Sequence, residues 1–173
     1  MSRQRSGVAG QFAALLGRFR PPPLDIDWIT PALAVGAGPD PRRARDLARE
    51  GVTSILDLRE DFERDSGAAQ ATASDSSLRI LHISIKDGTP PSQEQLTAGV
   101  DWVLDELGRD GKVLVCCRAG QQRSATMVTA VLVRLGYGVR QAFALVSSRR
   151  RVANPTSAQV QALRRFSEAS QAP

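Results

Sequence analysis

The residues whose types and spacing could do chemistry form a Cys-x5-Arg segment that runs from Cys117 to Arg123. The apolar run from Val113 to Cys116 precedes it and predicts a buried strand. Ser124 is a good N-cap, so it predicts the start of a helix. Backbone N–H groups in a loop between a strand and a helix N-terminus can converge on one point. Such a nest binds tetrahedral oxyanions, of which phosphate is the most common.

The two side chains at the ends of this segment have complementary roles. In the positive field of the loop, the Cys117 thiol should have a pKa below its free value of about 8.5 and ionise near neutrality. The guanidinium of Arg123 is planar and can donate to two oxygens of one phosphate. The sequence therefore predicts the attack of a cysteine thiolate on a phosphoryl group.

The loop Cys117-Arg118-Ala119-Gly120-Gln121-Gln122-Arg123-Ser124 resembles that of the cysteine-based protein tyrosine phosphatases, in particular their dual-specificity branch. The resemblance continues over roughly residues 26 to 168, most visibly in segments 26–36, 51–58 and 154–166. It implies an α/β fold in which a central, mostly parallel sheet is flanked by helices. It also implies a phosphomonoester hydrolase that works through a phosphocysteine intermediate.

The resemblance assigns roles to the loop residues. Arg123 and the backbone N–H groups of five residues would bind the phosphate: Arg118, Ala119, Gly120, Gln121 and Gln122. The Ser124 hydroxyl would steady the thiolate when it leaves the phosphoenzyme, in addition to capping the helix. Gly120 is expected to permit a backbone conformation that other residues resist.

A leaving oxygen departs poorly unless an acid protonates it, and a positioned acid contributes about 10²–10⁴-fold. Asp87 is the best candidate, because it follows an apolar segment and precedes Gly88 in a predicted loop. The general acid of the resembled family occupies this position. The alternative is an aspartate that only shapes the turn. Asp57 and Asp61 are weaker candidates, and Asp57 could simply order a neighbouring loop.

Cys116 departs from the family pattern, which usually has a histidine immediately before the nucleophile. We interpret it as a small buried strand residue, and the alternative is a redox partner of Cys117. The single histidine, His82, is interpreted as a core or strand-face residue. Arg149 to Arg151 predict a solvated face, with the binding of a second phosphate or an acidic headgroup as the alternative.

Composition is consistent with one globular enzyme domain. The chain has 173 residues, 42% of them hydrophobic, and a net charge of +5, which would attract anionic substrates. Two adjacent cysteines form no disulfide framework, so we expect a reducing, cytoplasmic setting. No apolar run is long enough to span a membrane. One histidine and no spaced cysteine pairs predict no metal site and no cofactor. No motif suggests nucleic acid as a partner.

The pattern along the chain divides it into residues 1–24 and a phosphatase domain of residues 25–173. The first segment has no acidic residue, and its apolar residues fall at helical spacing among arginines. A basic helix of this kind could make peripheral contact with an anionic membrane. The alternatives are a frayed tail or a helix packed on the domain. Within the domain, strands are predicted at 53–58 and 79–85, helices at 44–50, 92–107, 124–135, 141–148 and 157–168, and a loop at 64–77.

The substrate is left open between a phosphorylated protein and an anionic phospholipid. A protein tyrosine or dual-specificity phosphatase is the default for the broad family. However, residues 123–128 and 155–159 look like the branch that dephosphorylates phosphatidylglycerophosphate, which favours a lipid phosphate as the alternative. Outside this class, a rhodanese-type sulfurtransferase and a non-catalytic phosphate-binding module are the other hypotheses.

Overall fold

The computed structural model describes residues 22–64 and 78–171, which form a five-stranded sheet with helices on both faces. The strands are β1 (Ile26–Trp28), β2 (Leu33–Ala37), β3 (Ser54–Asp57), β4 (Arg79–His82) and β5 (Val113–Cys117). Their order in the sheet is β1-β2-β5-β3-β4. Only β1 is antiparallel to its neighbour, so the predicted mostly parallel α/β architecture is confirmed.

In the part of the chain that the structure describes, five α-helices connect or follow the strands. They are α1 (Ala44–Arg49), α2 (Gln93–Gly108), α3 (Arg123–Arg134), α4 (Val139–Arg149) and α5 (Ser157–Gln171). Two single 3-10 turns, Pro41–Arg43 and Asp61–Glu63, lie in the loops after β2 and β3. The α2 helix shows how closely local sequence sets a boundary. The Ser92 hydroxyl accepts from Gln95 N at 3.1 Å, while the Gln95 side chain accepts from Ser92 N at 2.9 Å.

Strand β5 is central, and its side chains alternate between two hydrophobic cores. Val113, Val115 and Cys117 face the larger core, which α2, α3, α4 and α5 cover. Leu114 and Cys116 face a smaller core on the other side, where Leu47 of α1 packs. Because successive strand residues point to opposite faces, the two neighbouring cysteines belong to different sides of the sheet. Only one of them can reach the N-terminus of α3.

Several predicted boundaries are corrected by one to three residues. The expectation that Ser124 caps α3 is wrong: the helix begins at Arg123, and Gln122 occupies the N-cap position. The first N–H groups of α3 lie at the loop. The Ser124 hydroxyl contacts the sulfur of Cys117 instead of capping the helix. Strand β4 ends at His82 rather than at residue 85, although Ile83 N still donates to Asp57 O at 3.0 Å beyond its end. The predicted helix within residues 1–24 and most of the predicted loop at 64–77 lie outside the described residues.

Candidate active site

Carbonyl groups in the second half of the loop between β5 and α3 accept hydrogen bonds from residues outside the loop. Gln121 O accepts from Asn154 N at 2.8 Å, and Gln122 O accepts from Thr126 N at 2.8 Å. A trans peptide is planar, with its C=O and N–H pointing in opposite directions. The N–H groups that follow these carbonyls therefore point to the inner side of the loop. Gly120 has a φ of +65°, the left-handed conformation that was expected of it.

Cys117 lies at the floor of this loop as the last residue of β5, with 3% of its surface exposed. Its Sγ lies 3.3 Å from the Ser124 Oγ. Burial opposes ionisation of the thiol, but hydrogen bonds from Ser124, the charge of Arg123 and the Gly120 N–H outweigh it. The pKa of Cys117 therefore lies below its ordinary value, as predicted. The arrangement therefore favours the thiolate form of Cys117, which is the form that acts as a nucleophile.

Arg123 begins α3, and its side chain is 1% exposed. Its Nη1 donates to Ile85 O at 3.0 Å, which fixes the plane of the guanidinium behind the loop. Its Nε is buried and has no hydrogen-bond partner among the described residues. A buried donor without a partner is costly, and an oxyanion bound in the loop would be a suitable acceptor.

Asp87 is brought to the same site. Its Oδ1 lies 2.9 Å from Arg123 Nη2, and its side chain is 58% exposed, so it lies at the mouth rather than the floor. Asp87 and the loop residues 117–119 and 121–123 line a cavity of about 130 Å³. The structure thus brings together the predicted nucleophile, arginine, serine and candidate acid.

Glu63 is a residue of this site that the sequence analysis missed. Its carboxylate receives two hydrogen bonds from Arg123, from Nη1 at 2.6 Å and from Nη2 at 3.0 Å. The hydrogen bonds from Arg123 lower the pKa of Glu63 and outweigh its burial. The carboxyl ends of the parallel strands β3 and β5 meet at one edge of the sheet, which brings a residue shortly after β3 to Arg123. The sequence contains no direct signal for this contact, because neither segment shows that the two strands are neighbours.

The two other aspartates considered have no part in the cavity. Asp57 binds Arg59 Nη2 at 2.8 Å and so orders the loop after β3, in agreement with the interpretation preferred for it. Asp61 is exposed, and its Oδ1 lies 3.7 Å from His82 Nδ1. His82 itself lies on β4, where its Nε2 contacts Arg59 O at 2.7 Å.

The arginine run after α4 differs from the predicted solvated face. Arg149 and Arg151 are exposed, but Arg150 is buried and turns inward to the back of the loop. Its hydrogen bonds join two loop carbonyls to the carboxylates of Asp25 and Asp27. The prediction is wrong for Arg150, because Asp27 on β1 and Asp25 just before β1 compensate its buried charge. Both acids lie far from Arg150 in the sequence.

Cys116 is fully buried, and burial raises the pKa of its thiol far above the ordinary value. It packs in the core opposite Cys117, as expected of a small strand residue. Among residues 22–64 and 78–171 there is no group of three potential ligands that could hold a metal ion. Within the same ranges, no helix is long and apolar enough to cross a membrane.

Comparison with known proteins agrees with this geometry. A family profile described as "Polymorphic toxin system, DSP-PTPase phosphatase" matches residues 38–137. Human dual specificity phosphatase 28 is 29% identical over 161 residues, which cover 90% of this chain and 85% of the relative. Human phosphatidylglycerophosphatase and protein-tyrosine phosphatase 1 is 31% identical over 115 residues, covering 63% and 57% respectively. The crystal structure of Tk-PTP in its active form superposes with a TM-score of 0.77 at 28% identity, covering 83% of this chain and 97% of that one.

The fold, the loop and the family match define one class of protein. The chain belongs to the dual-specificity branch of the cysteine-based protein tyrosine phosphatase superfamily. It is a phosphatase, which the matches favour over the sulfurtransferase and the non-catalytic module.

Proposed function

We propose that this chain hydrolyses phosphomonoesters through a phosphocysteine intermediate formed on Cys117. The observation that carries the proposal is the buried thiol at the floor of a loop whose N–H groups point inward, with the unpartnered Arg123 Nε beside it. A phosphoryl group bound there would have its phosphorus in front of Sγ and its oxygens on the donors. Charge on those oxygens would be stabilised by groups that need no reorganisation.

In the first step, the Cys117 thiolate attacks phosphorus and the bond to the leaving oxygen breaks. Asp87, at the mouth of the cavity, gives its proton to that oxygen, so the product leaves as an alcohol or phenol rather than an anion. Asp87 must release its contact with Arg123 Nη2 when phosphate arrives, because the phosphate oxygens take the same donors.

In the second step, water attacks the phosphocysteine and the S–P bond breaks. Asp87, now ionised, accepts a proton from that water. The sulfur leaves as a thiolate, which the Ser124 hydroxyl at 3.3 Å stabilises by donating a hydrogen bond. Inorganic phosphate is released, and the enzyme returns to its starting state. Because the nucleophile must stay reduced, we place the enzyme in the cytoplasm.

A phosphoprotein is the substrate that we favour. The family match and the likeness to dual specificity phosphatase 28 both support phosphotyrosine, phosphoserine or phosphothreonine as the reacting group. The cavity of about 130 Å³ suits a phosphoryl group and little more, so the rest of a protein substrate would lie on the surface around it.

A lipid phosphate is the second candidate, and one feature of the surface favours it. A separate cavity of about 440 Å³ adjoins the loop, and Arg149 and Arg151 line it together with Asp25 and Asp27, whose charges are paired with Arg150. A second anionic group of a phospholipid such as phosphatidylglycerophosphate could bind there, and the likeness to the human phosphatidylglycerophosphatase supports this alternative. Residues 1–24 would then add peripheral membrane contact.

The test measures phosphate release, with reductant and chelator present, from a phosphotyrosine peptide, a phosphoserine peptide and phosphatidylglycerophosphate in phosphatidylcholine vesicles. We expect Cys117→Ser to abolish release. The matched control is Cys116→Ala, which alters the neighbouring thiol on the opposite face and should retain activity. Release that survives Cys117→Ser would overturn the proposal.

The same assay selects the substrate. Faster turnover of a peptide supports the protein phosphatase. Faster turnover of the lipid, reduced by Arg149→Met with Arg151→Met while peptide turnover is unchanged, supports the alternative.

A further inference from the structure

Arg150 forms a buried connection between the back of the catalytic loop and the beginning of β1. Its Nε donates to Gly120 O at 3.1 Å, and its Nη2 donates to Ala119 O at 3.0 Å. Two successive carbonyls of the loop are therefore held by one rigid guanidinium. A planar fork can do this because its donors are fixed relative to one another.

The other side of the same guanidinium is held by two acids. Nη1 donates to Asp27 Oδ2 at 3.0 Å, and Nη2 donates to Asp25 Oδ2 at 3.0 Å. The hydrogen bonds from Arg150 lower the pKa of Asp25 and outweigh its partial burial, so it is ionised at neutral pH. Only 4% of the Arg150 side chain is exposed, and an unpaired charge at that depth would be costly.

The two carbonyls determine where two loop N–H groups point. In a planar trans peptide, fixing Ala119 O outward directs Gly120 N–H inward, and fixing Gly120 O outward directs Gln121 N–H inward. The Gly120 N–H is among the groups that lower the pKa of Cys117. One peptide plane thus lies between Arg150, which binds its carbonyl oxygen, and the nucleophile, whose ionisation its N–H favours.

The packing between the arginine and the loop is close. A Cβ built on Gly120 would lie 2.5 Å from Arg150 Nη2 and 2.6 Å from the carbonyl carbon of Gly36. The loop at this point therefore lies directly against the guanidinium, without room for a side chain between them.

We propose that Arg150, anchored by Asp25 and Asp27, is a positioning residue that keeps the Ala119–Gly120 and Gly120–Gln121 peptides turned so that their N–H groups face the thiolate and the bound phosphoryl group. This inference rests on the proposed function of the loop and deepens it. Arg150 touches neither sulfur nor substrate, so its effect passes through the backbone. A peptide that turned over would present a carbonyl to the phosphate and remove a donor.

The test uses Arg150→Met, Arg150→Lys and the double variant Asp25→Asn with Asp27→Asn, all in a Cys116→Ala background so that one thiol reacts. Arg140→Met is the matched control, an exposed arginine in the first turn of α4, the helix that ends just before Arg150. Two readouts do not depend on turnover. The first is the pH midpoint of Cys117 alkylation by iodoacetamide, and the second is calorimetric binding of inorganic phosphate. Thermal unfolding confirms that each variant is folded.

We expect Arg150→Met to raise the alkylation midpoint by about one pH unit and to weaken phosphate binding about tenfold, as for one charge-assisted hydrogen bond lost at the sulfur and one at the phosphate. Arg150→Lys should recover only part of either effect, since an ammonium lacks the fork. The other charged groups at the cavity, Arg118, Arg123 and Asp87, are unchanged in every variant.

Folded variants whose midpoint and phosphate affinity equal those of the control would overturn the inference. If Arg150→Met does not fold, the double variant at Asp25 and Asp27 gives the decisive comparison. An alkylation midpoint and a phosphate affinity equal to those of the control would overturn the inference in that variant as well. Absence of phosphate release by the unaltered protein would count against the proposed function alone. The two readouts would still decide the role of Arg150.

Discussion

Replacing Glu63 by glutamine tests how the buried Arg123 is held. The side chains of Glu63 and Arg123 are 4% and 1% exposed, so water compensates neither charge. Glutamine has nearly the same shape and can still accept one hydrogen bond through its Oε1. However, its amide group would face the second guanidinium donor, so one charge-assisted bond and the neutralising charge are both lost.

The size of the destabilisation depends on the partners that Arg123 keeps in the variant. Breaking a buried ion pair typically costs about 3–5 kcal/mol, but Arg123 Nη1 keeps Ile85 O, and the partly exposed Asp87 keeps a negative charge nearby. We therefore expect Glu63→Gln to lower the free energy of unfolding by about 2–3 kcal/mol at neutral pH. Urea unfolding measures this, with Glu168→Gln, an exposed glutamate on α5, as the control.

The pH dependence gives a second, independent check. The pKa of Glu63 is lowered in the folded protein, so its stabilising effect is complete above the ordinary glutamate value of about 4.3 and is lost as the pH falls through the folded value. The difference in unfolding free energy between the two proteins should be widest near neutrality and should narrow as the pH falls below the ordinary glutamate value of about 4.3. Inorganic phosphate should also narrow it, because its charge replaces that of Glu63 beside Arg123. A gap below about 0.5 kcal/mol, or one that is constant from pH 7 to pH 3, would refute this account of the ion pair.

Three further substitutions test the site itself. Asp87→Asn should lower kcat about 10²–10⁴-fold for an alkyl phosphate and much less for p-nitrophenyl phosphate, because the nitrophenolate leaving group needs no proton. Equal losses of kcat on both substrates would contradict the role of Asp87 as the acid. Ser124→Ala should slow the breakdown of the phosphoenzyme more than its formation, so that rapid-quench experiments show phosphocysteine accumulating on Cys117; an unchanged ratio of the two rates would argue against thiolate stabilisation. Gly120→Ala should destabilise the fold by at least about 1–2 kcal/mol and abolish phosphate binding, because φ there is +65° and the new Cβ would meet Arg150; a variant with normal binding would disprove the steric argument.

The sequence predicted the site best where chemistry depends on neighbours along the chain. Cys117 to Ser124 form one strand–loop–helix unit, so their spacing alone places thiol, donors and hydroxyl together. The parallel sheet could also be predicted, because buried strands alternate with helices along the sequence. Boundaries at strand and helix ends shifted by a few residues, since the competing hydrogen bonds of the loop determine them.

What the sequence did not predict involves partners distant along the chain. Glu63 reaches Arg123 because β3 and β5 are adjacent in the sheet, and strand order is not written in either segment. Arg150 was misread as solvated, since the acids that compensate it lie at the opposite end of the domain. Both cases are buried ion pairs, whose charged members look like surface residues until the partner is known.

The alternation of β5 has a consequence for oxidative damage. The chain has two cysteines, and the strand directs them into separate cores on opposite faces of the sheet. A sulfenic acid formed on Cys117 by peroxide therefore has no resolving thiol in its own chain, and its reduction falls to an external thiol such as glutathione. We expect mass spectrometry of peroxide-treated protein to find further oxidation of Cys117 when no thiol is added, and a mixed disulfide when glutathione is present. An intrachain Cys116–Cys117 disulfide would show instead that the strand can open. Recovery of this phosphatase after oxidation would therefore depend on the concentration of external thiol.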